Sequence, residues 1–210
     1  MQPPILYIIS AASGTGKTSL IQALLREDPR LTFSISHTTR KPRDGEKDGV
    51  DYHFVSIKQF EQMIQEEAFL EYANVFGNYY GTSKQQVENH RDVILEIDWQ
   101  GADRIRRSEQ NRSVVSVFIL PPSFTELKKR ITTRNKDHPE VIQKRLETAA
   151  FEIRQANYYD YLIINDHFDM ALQELRSIIQ AERCKTKIQL PVWSKLMGEL
   201  TREKESHEIL

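Results

Sequence analysis

The sequence is short of cysteine. One, Cys184, stands among 210 residues, which excludes an internal disulfide framework and argues against a cysteine-built zinc site. Long apolar runs are missing as well: none approaches the roughly 18 residues of a membrane-spanning helix. Met1–Ile9 has no charged segment ahead of its apolar run, so it does not read as a signal peptide, and a cytoplasmic protein is expected. Nor is there an excess of either charge. Lys and Arg number 29 against 30 Asp and Glu, a net charge of −1. A general nucleic-acid binder carries a clear basic surplus, so neither nucleic acid nor membrane is an expected partner. No internal repeat and no low-complexity tract interrupts the chain. At 39% hydrophobic and 28% charged, it has the composition of a soluble globular protein with length enough for a real core.

Five short apolar runs stand out: Ile5–Ile9, Leu31–Ser36, Val93–Asp98, Val114–Leu120 and Tyr161–Asn165. They do not alternate cleanly, as strands buried on both faces of a parallel sheet do not. Helical patterns lie between them. Lys17–Leu25 gathers Leu20, Leu24 and Leu25 on one face, and Ser123 with Glu126 forms a capping-box pattern. Pro139 suits a first helical position, and Ile142, Leu146, Ala149 and Ile153 then recur at helical spacing. A last helix is predicted over about Met170–Cys184. Strands alternating with helices imply an α/β fold with a parallel sheet. One interval, from Ser36 to about Val93, is polar and turn-rich. It reads as an insertion with a minor sheet, including Tyr52–Val55 as a strand and Ser56–Gln59 as a helix cap. The tail after about Leu190 is charged and weakly patterned, and no catalytic role is expected of it.

Ala11, Ala12, Ser13, Gly14, Thr15, Gly16, Lys17 and Thr18 follow the first strand and open the first helix. Gly16-Lys-Thr18 fits the second half of the phosphate-loop pattern G-x-x-x-x-G-K-[ST], although position 11 is alanine. Glycines at 14 and 16 let the backbone wrap a phosphate, with N–H groups pointing inward at a helix N-terminus. Lys17 would reach the β- and γ-phosphates, and Thr18 would ligate Mg²⁺. Val93–Asp98, an apolar run closing on a carboxylate, then reads as the strand whose acid lies near the metal.

Asp98-Trp-Gln-Gly101 also fits the D-x-x-G pattern of GTPases, but Asn135-Lys-Asp-His138 fails the matching guanine signature N-K-x-D. A kinase acting on a second nucleotide explains the insertion better. Arg40 and Arg43 lie three apart in a turn-forming segment, where two guanidinium forks can clamp one phosphate. Tyr52 and Tyr80 could add hydroxyl donors. Taken alone, Glu71 reads as a surface acid at a helix end.

Ser36-x-x-Thr-Arg40-x-Pro-Arg43-x-Gly-Glu46, Asp51-Tyr52-x-Phe54, Phe69-Leu-Glu71, Gly77-Asn-Tyr-Tyr-Gly-Thr82 and Asp98-x-Gln-Gly101 occur in this order. Together they resemble the guanylate kinase family, bacterial type, over about Tyr7 to Arg183. The resemblance implies a three-layer α/β/α P-loop kinase core with a five-stranded parallel sheet, a GMP-binding insertion and a helical lid. By that likeness Glu71 reads the guanine edge, with Ser36 and Thr82 as hydroxyl partners. Arg40, Arg43, Tyr52 and Tyr80 clamp the GMP phosphate, and Glu46 and Asp98 complete the GMP site. Glu96 stands where an aspartate is expected.

From Lys128 to Arg145 there are seven Lys or Arg and two Asp or Glu, a local charge of +5. Arg130 and Arg134 share a helix face, and Arg145 lies on the next helix. In the family such helices close over ATP, so the resemblance assigns Lys17, Arg40, Arg130, Arg134 and Arg145 to catalysis. Asn165 and Asp166 would edge the adenine. Thr18 and Asp98 would hold Mg²⁺, directly or through water. The expected division is 1–35, 93–125 and 155–190 as core, 36–92 as GMP-binding insertion, 126–154 as lid and 191–210 as tail. The expected reaction is ATP with GMP, and with dGMP as a further acceptor, to ADP and the corresponding diphosphate. Two other readings stay open: an inactive guanylate-kinase-like interaction module, and a kinase for another base. A homo-oligomer is equally open.

Overall fold

A computed structural model describes residues 3–75, 77–88, 91–109, 112–134 and 139–207. The main sheet is built from β1 (Ile5–Ala11), β2 (Leu31–Phe33), β7 (Asp92–Glu96), β8 (Ser113–Leu120) and β9 (Tyr161–Ile164), all parallel, in the order β2-β7-β1-β8-β9. Strand β1 is central, and Ile5 to Ile9 are each at most 1% exposed. Its side chains divide by parity, as the two-residue strand period demands. Ile5, Tyr7 and Ile9 pack with Leu20 and Leu24 of α1 (Lys17–Glu27) and with Leu175 and Ile179 of α7 (Phe168–Arg183). Leu6 and Ile8 face the other way, toward Ala102 and Ile105 of α4 (Trp99–Ser108). Both faces are therefore covered, which gives the three layers and explains why the strand runs do not alternate.

Along the chain, the segment that connects β2 to β7 forms a second, four-stranded sheet. Its strands are β3 (His37–Thr38), β4 (His53–Phe54), β5 (Phe69–Val75) and β6 (Asn78–Ser83), in the order β4-β3-β6-β5. Helix α2 (Ile57–Gln65) is capped reciprocally by Ser56 and Gln59, as the sequence predicts. Phe60 of α2 stacks on Phe69 and Tyr79 at centroid distances of 4.4 and 5.2 Å. The short α3 (Lys84–Val87) leads back to the core. Its Gln86 fastens both crossings of the chain: Oε1 accepts from Ile35 N (2.6 Å) and Ser34 Oγ (3.0 Å), and Nε2 donates to Ile35 O (2.8 Å).

That clasp accounts for one difference from the sequence reading. The run expected to continue to Ser36 stops as a strand at Phe33, because a side-chain amide takes over the hydrogen bonding of Ile35. Likewise β7 ends at Glu96, and Asp98 becomes the N-cap of α4, accepting the N–H of Gly101 at 2.9 Å. The sequence pattern did not announce α4. The tail departs as well: α8 (Thr186–His207) is helical despite Pro191 within it.

Helices α5 (Phe124–Arg134) and α6 (Pro139–Arg154) lie over the end of β1. Leu127 and Ile131 pack with Leu146 and Ala149, and Ala12 joins that cluster. Ser123 Oγ accepts the N–H of Glu126 (3.1 Å), half of the expected capping box, while the Glu126 carboxylate engages Arg130. Asn135–His138 lies outside the described residues.

Candidate active site

The loop after β1 turns with Gly14 and Gly16 at φ of +91° and +94°, a region open to glycine at little cost. Space imposes glycine as well. A Cβ on Gly14 would sit 3.1 Å from Ile131 Cγ1, and one on Gly16 would sit 2.6 Å from Asn165 Nδ2. Thr15 closes the turn with its N–H and hydroxyl on Ala12 O, at 3.3 and 2.9 Å. The backbone amides of α1's first turn are thus left as a cradle for an anion at the positive end of the helix dipole.

The carboxylate beside this cradle is Glu96, not Asp98. Glu96 Oε1 accepts from Thr18 Oγ1 at 2.8 Å and lies 3.5 Å from Lys17 Nζ. Asp98 spends one oxygen on its cap of α4 and takes a hydrogen bond from Gln100 Nε2 (3.1 Å) on the other. Asp98 lines the cavity, but the contact with Thr18 is made by Glu96, not by the aspartate the sequence reading assigned to it. Among the described residues no group of three or more His, Cys, Asp or Glu could by itself hold a metal ion.

A cavity of about 400 Å³ runs from the loop to the second sheet. Ser13 to Thr18 form one end, Glu96 and Asp98 the floor, and Ser36, Arg43, Tyr52, Glu71 and Tyr80 the far end. Glu71 lies on β5, not at a helix end, and is 5% exposed. Its Oε1 accepts from Thr82 N (3.1 Å) and Thr82 Oγ1 (2.8 Å). Burial, with the nearby Asp98 charge adding to it, pushes the Glu71 carboxyl up to about 7.

Arg40 is held by Glu46 at 2.9 Å and lies over the Tyr52 ring at 5.3 Å. Glu46 also accepts the backbone N–H of Arg43 (2.7 Å), and the Arg40 guanidinium holds its carboxyl below the usual range. Glu46 therefore arranges the two arginines. Burial pushes the Tyr52 phenol up to about 12, so it stays an O–H donor. Arg40, Arg43 and Glu46 share a second cavity, of about 700 Å³, with Arg145.

Arg145 Nη2 donates to Ser13 Oγ (2.9 Å), which brings α6 onto the phosphate loop. Arg130 is directed elsewhere: it bonds Glu126 (3.1 Å) and the carbonyl of Asn165 (3.3 Å). Asn165 in turn donates to Thr15 O at 2.6 Å, so it braces the loop from behind. Asp166 Oδ2 lies 3.7 Å from Nε2 of the exposed His167. Arg134 closes α5, and its side chain lies outside the described residues. Among the charged residues lining the cavity, sequence reasoning missed Glu152 of α6. The available signal was its spacing of seven from Arg145, which puts the two on one helix face.

A phosphate loop beside the central strand of a parallel sheet, facing a second polar site across one cavity, defines a P-loop nucleotide kinase. The Guanylate kinase family model matches residues 4–182. The chain is 49% identical to a guanylate kinase of Thiobacillus denitrificans over 204 residues, 95% of this chain and 97% of that one. Against the guanylate kinase of Vibrio vulnificus the figure is 52% over 204 residues, covering 94% and 98%. The crystal structure of guanylate kinase from Anaplasma phagocytophilum superposes with a TM-score of 0.74 at 33% identity, covering 89% of this chain and 90% of that one. The chain belongs to the guanylate kinase family.

Proposed function

We propose that this protein transfers the γ-phosphoryl group of ATP to GMP, with dGMP as a second acceptor, giving ADP and GDP or dGDP for guanine-nucleotide recycling. The observation that carries this reading is the single cavity with a phosphate loop at one end and the buried Glu71 carboxylate at the other. Guanine presents N1–H and N2–H₂ side by side, and one carboxylate accepts from both. Adenine has an acceptor at N1 and no N2 amine, so it would leave a buried charge unmatched, a costly error. Ser36 and Thr82 border the base, and Arg40, Arg43, Tyr52 and Tyr80 take its phosphate. The same argument disfavours a kinase for another base. Retention of Lys17 with both clamp arginines disfavours an inactive interaction module.

The acceptor is already an anion, so a strong general base is unnecessary, and catalysis rests on positioning and charge neutralisation. Ala11 to Thr18 hold the donor phosphates; Lys17 and Arg145 offset charge on the moving group, with Arg130 and Arg134 brought in by lid closure. Hard oxygen donors suit Mg²⁺, and Thr18 with Glu96 supplies them where Asp98 was expected to. When bound, Mg²⁺ would neutralise phosphate charge. Asn165 would edge the adenine. Residues 36–92 act as the acceptor-binding part and 126–154 as the lid over a core of 1–35, 93–125 and 155–190, while 191–210 takes no part in the chemistry. Closure of both parts would exclude water from ATP. The reducing cytoplasm suits a chain with one free thiol, Cys184, and no described helix is long and apolar enough to cross a membrane.

A coupled assay of the four nucleoside monophosphates with ATP and Mg²⁺ tests this. GMP should be turned over far faster than AMP, CMP or UMP; absence of GDP would overturn the reading.

A further inference from the structure

Asn165 enters the scheme above only at the edge of the adenine, yet it is 6% exposed and lines neither of the two cavities. It stands just past β9, where its own N–H donates to Leu120 O at 2.8 Å. The end of the parallel sheet therefore holds its main chain. Its carbonyl takes Arg130 Nη1 at 3.3 Å. From that anchored position Nδ2 donates to Thr15 O at 2.6 Å, a buried bond between residues 150 apart in the chain. The amide comes this close because residue 16 has no Cβ, which would meet Nδ2 at 2.6 Å.

Thr15 O and Gly16 N–H belong to one planar trans peptide, so they point in opposite directions. Holding the oxygen toward Asn165 turns the Gly16 hydrogen the other way. Gly16 is the N-cap of α1 and lines the loop end of the larger site's cavity. Among the described residues no group accepts its N–H. The same peptide is the easiest one in the loop to invert, because glycine at φ of +94° takes either sign of φ at little cost. Inverted, it would aim a carbonyl at an incoming phosphate, and attraction would become repulsion. An anion cradle binds well only when its N–H groups converge before the anion arrives. We infer that Asn165 is a positioning residue for the ATP phosphates, which fixes the Thr15 carbonyl and so keeps the Gly16 N–H in the cradle. This role runs through the loop and is separate from any contact of Oδ1 with adenine. It rests on the phosphate loop being the ATP site.

Inorganic tripolyphosphate separates the two roles, since it has the phosphates and no base. Asn165→Leu keeps the branched shape without a donor, and Asn165→Ala removes the side chain beyond Cβ. Calorimetric titrations with Mg·ATP, Mg·tripolyphosphate and GMP, each alone, give the three dissociation constants. Both variants should raise Kd for Mg·ATP and for Mg·tripolyphosphate by the same factor, about five- to tenfold, as expected when a buried carbonyl loses its donor. Kd for GMP should change by less than about twofold. The inference fails if ATP weakens and tripolyphosphate does not, which is the mark of an adenine contact alone. It fails too if neither weakens, if GMP weakens as much as they do, or if tripolyphosphate does not bind the wild type. Where one variant does not fold, the other carries the test. GDP formation by the wild type, measured alongside, reports on the underlying reading. If no GDP forms, that reading falls; if GDP forms and the variants bind both polyphosphates like wild type, only the role of Asn165 falls.

Discussion

Glu71 occupies the space that a side chain on Gly101 would need: a Cβ there would lie 2.6 Å from Glu71 Oε2 and 3.0 Å from its carboxyl carbon. The two residues come from different sheets' surroundings, β5 and the first turn of α4, and Gly101 is also the residue whose N–H Asp98 caps. The glycine of Asp98-x-Gln-Gly101 thus makes room for the base-reading acid.

Gly101→Ala should therefore act as a remote acceptor-site variant. The Glu71 carboxylate would have to swing toward the cavity and give up its present hydrogen bonds to Thr82, and a displacement near 1 Å in a positioned group can cost up to about a hundredfold. The KM for GMP is expected to rise at least tenfold while that for ATP stays within about twofold. Steady-state kinetics with each substrate varied checks this, and an unchanged GMP constant would refute it.

Glu71 should also make GMP binding depend on pH. Guanine's donors require the ionised carboxylate, whereas burial holds the free site near a pKa of about 7. GMP affinity should accordingly rise as pH increases from 6 to 8, by up to about tenfold per unit on the acid side. The second ionisation of the GMP phosphate, near 6, contributes in the same direction. Comparison with Glu71→Gln isolates the protein's share: that variant should bind GMP weakly and lose the dependence centred near 7.

The same group bears on stability. Its folded pKa is raised above the unfolded value of 4.5, so its stabilising contribution is present below about 4.5 and is lost as pH rises through about 7. Without nucleotide, Glu71→Gln should be more stable than the parent at pH 8, by about 2 kcal/mol, and not at pH 5. Urea unfolding at the two pH values measures the difference. Equal offsets at both would count against it.

Glu96 gives a metal-side prediction. Glu96→Ala removes the carboxylate on Thr18 and Lys17, so half-maximal activity should need several-fold more Mg²⁺, with GMP affinity unaltered. EDTA should abolish turnover in the parent. A Mg²⁺ titration of initial rates decides the matter.

Much of this was legible in the residues. The apolar runs located the parallel strands, because burial on both faces removes alternation, and the loop motif located the phosphate end. Local signals failed where partners are distant in sequence. Glu71 looks like a surface acid until Thr82 and Gly101 enclose it, 11 and 30 residues away. Glu96 and Asp98 sit two apart on one strand end, and only the cap of α4 separates their tasks. Arg130 lies on the expected helix face, yet it answers to Glu126 and Asn165.

The Gln86 clasp carries a consequence for how such a protein can change over evolutionary time. Entry into and exit from the second sheet are fastened at one point, Ile35, by a side chain 51 residues away. The intervening segment is therefore a closed excursion from the parallel sheet, and loop-closure entropy varies only slowly with the length enclosed. Residues inside the excursion can be lengthened, shortened or exchanged while the strands on either side keep their register. Acceptor preference can drift in one part of the chain while the phosphate-handling part is inherited unchanged.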